Sequence, residues 1–227
     1  MGLASGATKF ESVDVETKIS VTAEKDAQEL HVWQAGFLGR CESKALSFQN
    51  CTWGSDSTLT DKRTTENQRI GGLAAEVMGD CEVSVDACTL SGSITSKSTS
   101  NAKVGGLIAV SRGETQNGTT SADTTIKISN LQVKEEKIDT ADAKTTSGGL
   151  LGYQWKNTNV VFAASVDNTT ASENGVTISG ATLNAKNARF GGLVYQATGY
   201  WNATAVNSII FAVSYTHLRA HETLRHL

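Results

Sequence analysis

Gly105-Gly106-Leu107 is one of four copies of the same tripeptide. Gly71-Gly72-Leu73 precedes it, and Gly148-Gly149-Leu150 and Gly191-Gly192-Leu193 follow. Gly36-Phe37-Leu38 is a degenerate copy, and Gly2-Leu3 reads as the end of another. Between the glycines that precede Leu or Phe (Gly2, Gly36, Gly72, Gly106, Gly149, Gly192) the intervals are 34, 36, 34, 43 and 43 residues. Self-similarity at such a period marks stacked structural repeats, in which each unit buries its apolar side against the next.

Three strand-like segments precede or carry each tripeptide. In the third repeat, Glu82-Val83-Ser84-Val85-Asp86-Ala87-Cys88 alternates polar and apolar residues, as a half-buried strand does. Thr89-Leu90-Ser91-Gly92-Ser93-Ile94-Thr95 follows. The polar run from Ser96 to Asn101 reads as a solvated corner, and Val104 to Val110 closes the unit. The fifth repeat fits the same template through Val160–Val166, Gly175–Leu183 and Phe190–Tyr195. The two longer intervals carry extra polar residues, around Arg112–Gly118 and Asp167–Asn174, as expected of insertions in surface loops. The pattern predicts an all-β chain, a parallel β-solenoid of about three short strands per coil of 34–43 residues, over residues 1–212. An antiparallel β-sandwich is the alternative, but a sandwich has no reason to repeat its sequence. In the solenoid, Leu73, Leu107, Leu150 and Leu193 form one buried column. Gly72, Gly106, Gly149 and Gly192 permit either a bend or a backbone approach that a Cβ would block.

The tripeptide, with the strand pair before it, resembles the glycine-rich GLUG-type repeats of large bacterial surface proteins, among them IgA proteases of Gram-positive bacteria and adhesin-like proteins. The resemblance covers most of residues 36–212. Only Leu150-Leu151-Gly152 and Phe37-Leu38-Gly39 keep a glycine after the hydrophobic pair. It implies an extracellular scaffold or adhesive array outside any catalytic domain.

Composition narrows the function classes. The chain has 227 residues, 39% hydrophobic and 19% charged, with a net charge of −3 and no proline. An acidic balance without a basic stripe argues against nucleic acid. No run approaches the ~20 apolar residues of a membrane helix. The N-terminus lacks a basic stretch followed by an apolar one, so Met1 is expected to be an internal start or a cut point in a longer chain. Residues 213–223 resemble the conceptual translation of a sequencing adapter, and 213–227 are expected to be an artefactual tail. That tail holds His217, His221 and His226, three of the four histidines. His221 and His226 stand five apart rather than the four of a zinc-binding helix, so no metal site is expected there.

Candidate chemistry is sparse. Cys51 and Cys88 occupy equivalent places, matched by Leu131 and Val166 in the later repeats, and read as core thiols, with a disulfide between them as the alternative. Cys41 and Cys81 read as nearer corners. Tyr153, Trp155, Tyr200 and Trp201 follow the tripeptides of the last two repeats. At one corner they would offer planar faces to sugar rings; otherwise they cap the core. Trp33 and Trp53 have no matching register. The aspartates are scattered without a calcium-loop pattern, and His31 alone remains outside the tail, so neither catalytic residues nor a cofactor is expected. Four Asn-x-Thr sequons, at Asn50, Asn117, Asn168 and Asn202, read as Asn/Thr-rich surface. The expected function is that of a structural or adhesive repeat segment of a bacterial surface or secreted protein, with host or matrix glycans or proteins as partners. A solenoid polysaccharide lyase or hydrolase and a glycan-binding adhesin module are the alternatives.

Overall fold

The structure is a computed structural model. It describes residues 3–22, 32–42, 44–63, 68–98, 102–113, 123–140, 146–155, 157–162, 175–184, 189–194, 200–202 and 209–211. Among them there are strands and turns but no helix. Among the described residues each complete circuit of the chain contributes one short strand to each of five sheets. In the third circuit these are Glu82–Asp86 (face 1), Thr89–Leu90 (face 2), Ser93–Ser96 (face 3), Lys103–Gly105 (face 4) and Ile108–Arg112 (face 5). The last circuit adds a strand to faces 1 and 2. Every inter-strand ladder is parallel, and each strand pairs with its counterparts one circuit away. This is a parallel β-solenoid. It has five strands per coil rather than three, because the second sequence segment breaks at Ser91-Gly92 and the third at Gly106-Leu107.

The tripeptides lie in register. Gly71 faces Gly105, Gly105 faces Gly148 and Gly148 faces Gly191. The amides of Leu73, Leu107 and Leu150 donate to the carbonyls of Leu107, Leu150 and Leu193. The leucine column therefore exists: Leu73, Leu107 and Leu150 are buried, and Leu193 packs against the core half-buried. The glycines serve close approach, since none of the pair has a left-handed φ. A Cβ on Gly105 would overlap the Ile108 carbonyl oxygen, and one on Gly106 would overlap the Gly149 carbonyl oxygen of the next coil.

Left-handed backbone is concentrated at another corner. Ser12, Asn50, Ala87 and Asn130, with φ of 55°, 51°, 51° and 52°, are each the residue that turns face 1 into face 2. Asn accepts this conformation readily, whereas Ala does so at a steric cost of roughly 1–2 kcal/mol.

A single hydrophobic core runs along the axis. Phe10 stacks on Phe48 at 5.2 Å one coil away, and Phe37 packs edge-on against both. Trp53, opposite Leu90 on face 2, is wholly buried. It therefore does have a register, in the core. Its ring fills space that Gly36, Gly72 and Gly92 leave open; a Cβ on Gly92 would sit 2.5 Å from Cζ2. One coil above Gly92 stands Glu136, 2% exposed, with its carboxylate against Gly106 and no hydrogen-bond partner for Oε1. Burial pushes this carboxyl up to about 8.

Three readings of the sequence are corrected. Ser96 and Ser98 are buried rather than solvated, with the Ser96 hydroxyl donating to Gln68 Oε1 at 3.3 Å inside the coil. Leu131 faces Val176, not Val166, because the extra residues of the fifth repeat precede the strand Val176–Ser179. Arg112 ends a face 5 strand rather than starting a loop. Cys41 and Cys81 do lie at a corner, where face 5 leads into face 1, and their side chains are buried there with the sulfurs 3.9 Å apart. None of the four cysteines is in a disulfide and all are buried, Cys51 and Cys88 in the predicted core column. The Cys41 contact and burial raise the Cys81 thiol well above its ordinary value, and burial pushes Cys88 up to about 12. Residues 213–227 and the 167–174 insertion lie outside the described residues.

Candidate functional site: a cationic and aromatic crease

Faces 4 and 5 meet at the Gly-Gly step. Alternation sends Gln68 and Ile70 inward and Arg69 outward on face 4. The outer residues of the two faces touch one another, so the step is a re-entrant crease along the solenoid rather than a convex corner. Small groups make this possible, since a Cβ on Gly105 would also sit 2.7 Å from the Gly152 nitrogen across the crease.

Successive coils supply different chemistry at equivalent places. On face 4, Trp33, Arg69, Lys103 and Thr146 are in register. On face 5, Arg40, Glu76, Val110 and Tyr153 form one row. Met78 faces Arg112 in a second row, and the Trp155 amide continues it by bonding to the Ser111 carbonyl at 2.8 Å. The crease therefore gathers Trp33, Arg40, Arg69 and Arg112 around one buried carboxylate, and carries Lys103, Tyr153 and Trp155 further along.

Glu76 is that carboxylate, with no exposed surface. Arg69 pairs with its Oε2, Trp33 Nε1 donates to the same oxygen at 2.6 Å, and Arg40 Nε lies 3.5 Å away. Arg112 Nε lies 2.9 Å from Oε1. A buried charge is tolerable only with such partners. Arg40 is further tied to Glu42 at 2.5 Å and to Met78 Sδ at 2.7 Å. The Arg40 and Arg69 guanidinium groups lie 5.1 Å and 5.7 Å from the Trp33 ring centre, within cation–π range. Burial lowers the Arg69 pKa against the pull of Glu76, with Arg112 and Arg40 repelling it further. A guanidinium stays charged even so.

The other end of the crease is aromatic. Tyr153 and Trp155 have ring centres 5.2 Å apart, and Lys103 Nζ sits 5.4 Å from the Tyr153 centre. Trp155 is 42% exposed, one of two large apolar side chains with that much surface among the described residues. Of the four aromatic residues singled out in the sequence, Tyr153 and Trp155 come together. Tyr200 and Trp201 do not join them: they belong to face 1, opposite Asn159 and Val160, so the four are not at one corner. Sequence reading missed Trp33, Arg40, Arg69, Glu76 and Arg112. The available signal was Glu76 inside the otherwise apolar stretch Leu73–Met78, with Arg40 one repeat earlier at the same register.

Elsewhere, Asp61 is buried and paired with Arg63 at 2.5 Å, and Asp86 accepts from Ser129 and Asn130 one coil away. Among the described residues no group of three or more His, Cys, Asp or Glu could hold a metal ion, and no helix is long and apolar enough to cross a membrane.

Fold and crease define the class as a parallel β-solenoid with a lengthwise basic and aromatic groove. No family model, no curated protein and no solved structure matches this chain.

Proposed function

We propose that this chain is a non-enzymatic structural or adhesive repeat segment of a bacterial cell-surface or secreted protein, of the GLUG-like kind, that holds a binding face at a distance from its anchor. The carrying observation is the unbroken register of five parallel sheets over successive coils. Such a stack lengthens by roughly 4.8 Å with each coil, and every coil is braced by its neighbours. Length and stiffness are what an extracellular spacer needs. A glycan-binding adhesin is the second reading, and the exposed Tyr153–Trp155 pair favours it. The lyase or hydrolase alternative calls for paired carboxylates on one strand face; in the crease, Glu76 is instead held by Arg69, Arg112 and Arg40.

Cell labelling tests the proposal: an antibody raised against the purified chain should label intact cells of the source organism. Labelling only after permeabilisation would refute the extracellular role.

A further inference from the structure

We infer that the crease binds an extended acidic polysaccharide, its carboxylates taken by Arg69, Arg112 and Lys103 and its sugar rings lying on Tyr153 and Trp155. The inference rests on the proposal of a binding face and names the ligand class of that face.

Three observations carry it. The first is charge. Four cations, Arg40, Arg69, Lys103 and Arg112, stand against two carboxylates, Glu42 and Glu76, in a chain whose net charge is −3. The surplus is local and positive, which suits an anion. Glu76 also acts as a buried anchor that fixes the guanidinium groups before any ligand arrives, lowering the ordering cost of binding. Arg112 keeps 24% and Arg69 17% of the side chain exposed, so both retain solvent-facing surface beyond the ion pair. A guanidinium carries five N–H donors in a fork that fits a carboxylate, and such charge-assisted bonds are the strong ones.

The second is the aromatic pair. Tyr153 is half-buried and Trp155 exposed, and they lie beside the cations in the same crease rather than in the core. Flat faces next to cations suit a ring that carries a carboxylate. An acidic peptide would use the cations but has no equivalent need of two adjoining aromatic platforms.

The third is repeat length. Rows along the crease advance by one coil, roughly 4.8 Å, close to the length of one pyranose unit in an extended chain. Each coil can therefore meet one sugar, so a polymer is favoured over a monosaccharide.

Isothermal titration calorimetry of the full chain with an oligogalacturonate, a cello-oligosaccharide of equal length and poly-glutamate tests this. The oligogalacturonate should bind, should weaken as salt is raised, and should be bound at least tenfold more tightly than the other two. Arg112→Gln should weaken it about tenfold through loss of a charge-assisted contact. Trp155→Ala, at an exposed position, should weaken it about as much with an unchanged circular dichroism spectrum, which keeps the test valid if Arg112→Gln fails to fold. Equal binding of the neutral oligosaccharide would overturn the acidic ligand and leave a glycan-binding face. Equal binding of poly-glutamate would overturn the glycan. Binding undiminished by Trp155→Ala would remove the crease as the site. Binding of none of the three would overturn the inference, while cell labelling decides the surface role separately.

Discussion

Glu136 should make this protein's stability fall as pH rises, and replacing it should abolish most of that fall. Its carboxyl is sealed in the core beside Gly106, and burial raises it from 4.5 to about 8. The folded state therefore keeps a proton that the unfolded chain releases above about pH 4.5. Stability from this group is greatest below that pH. It declines by up to about 1.4 kcal/mol per unit until the folded carboxyl itself ionises near 8. The accumulated cost is about 3 kcal/mol at pH 7 and about 5 kcal/mol at pH 9, from the interval between 4.5 and 8. Glu136→Gln preserves the shape and cannot ionise. Urea unfolding followed by circular dichroism, at half-unit steps from pH 4.5 to pH 9, should give nearly equal stabilities at the acid end. The variant should pull ahead by about 3 kcal/mol at neutrality and the gap should flatten above pH 9. Other titrating groups are common to both proteins and cancel in the difference. Parallel curves across pH 5–8, or a variant less stable than the parent at pH 8, would refute the assignment of a buried, protonated carboxyl.

Other outcomes follow from the packing. Gly92→Ala should cost roughly 1–3 kcal/mol by forcing a methyl into the Trp53 ring, and Trp53→Leu, which matches Leu90 at the same register, should make the second change nearly silent in a thermal-melt double-mutant cycle. Ala87→Asn should raise the melting temperature, relieving roughly 1 kcal/mol of left-handed strain at an exposed corner already occupied by Asn50 and Asn130 in the flanking coils. Leu107→Ala should cost about 2–5 kcal/mol in chemical unfolding, since the leucine column leaves it no exposed surface. The four thiols should ignore a disulfide reagent at pH 8 in the native state and all react in urea, because each is buried and Cys88 is pushed up to about 12. Rapid native labelling would contradict their placement.

The period of the Gly-Gly-Leu element carried the solenoid, its axis and its leucine column into view, because like residues must stack where strands are parallel and in register. Strand number was harder to read. Ser91-Gly92 and Gly106-Leu107 look like continuous extended chain in one dimension, yet each holds a turn between two sheets. The crease was mostly hidden for a related reason. Its contacts run across coils and across faces at once: Trp33 meets Glu76, and Lys103 meets Tyr153. Positions that vary from rung to rung carry no periodic signal, and Arg40, Glu76, Val110 and Tyr153 share a row without sharing a chemistry. Tyr153 and Trp155 were legible because they are aromatic and close in sequence. Tyr200 and Trp201, equally aromatic, follow a later repeat at a different point of the circuit and fall on another face.

The register survives changes of coil length. Gly71 and Gly105 are 34 residues apart, while Gly105 and Gly148 are 43 apart, yet both pairs sit squarely opposite one another. The additional residues enter where one sheet has ended and the next has not begun, so the ladders never feel them. The corner between Arg112 and Thr124 is thus a natural port for grafting: a foreign epitope or a second binding peptide inserted there would be displayed at a fixed height on the shaft, and its length could be chosen without re-engineering the scaffold.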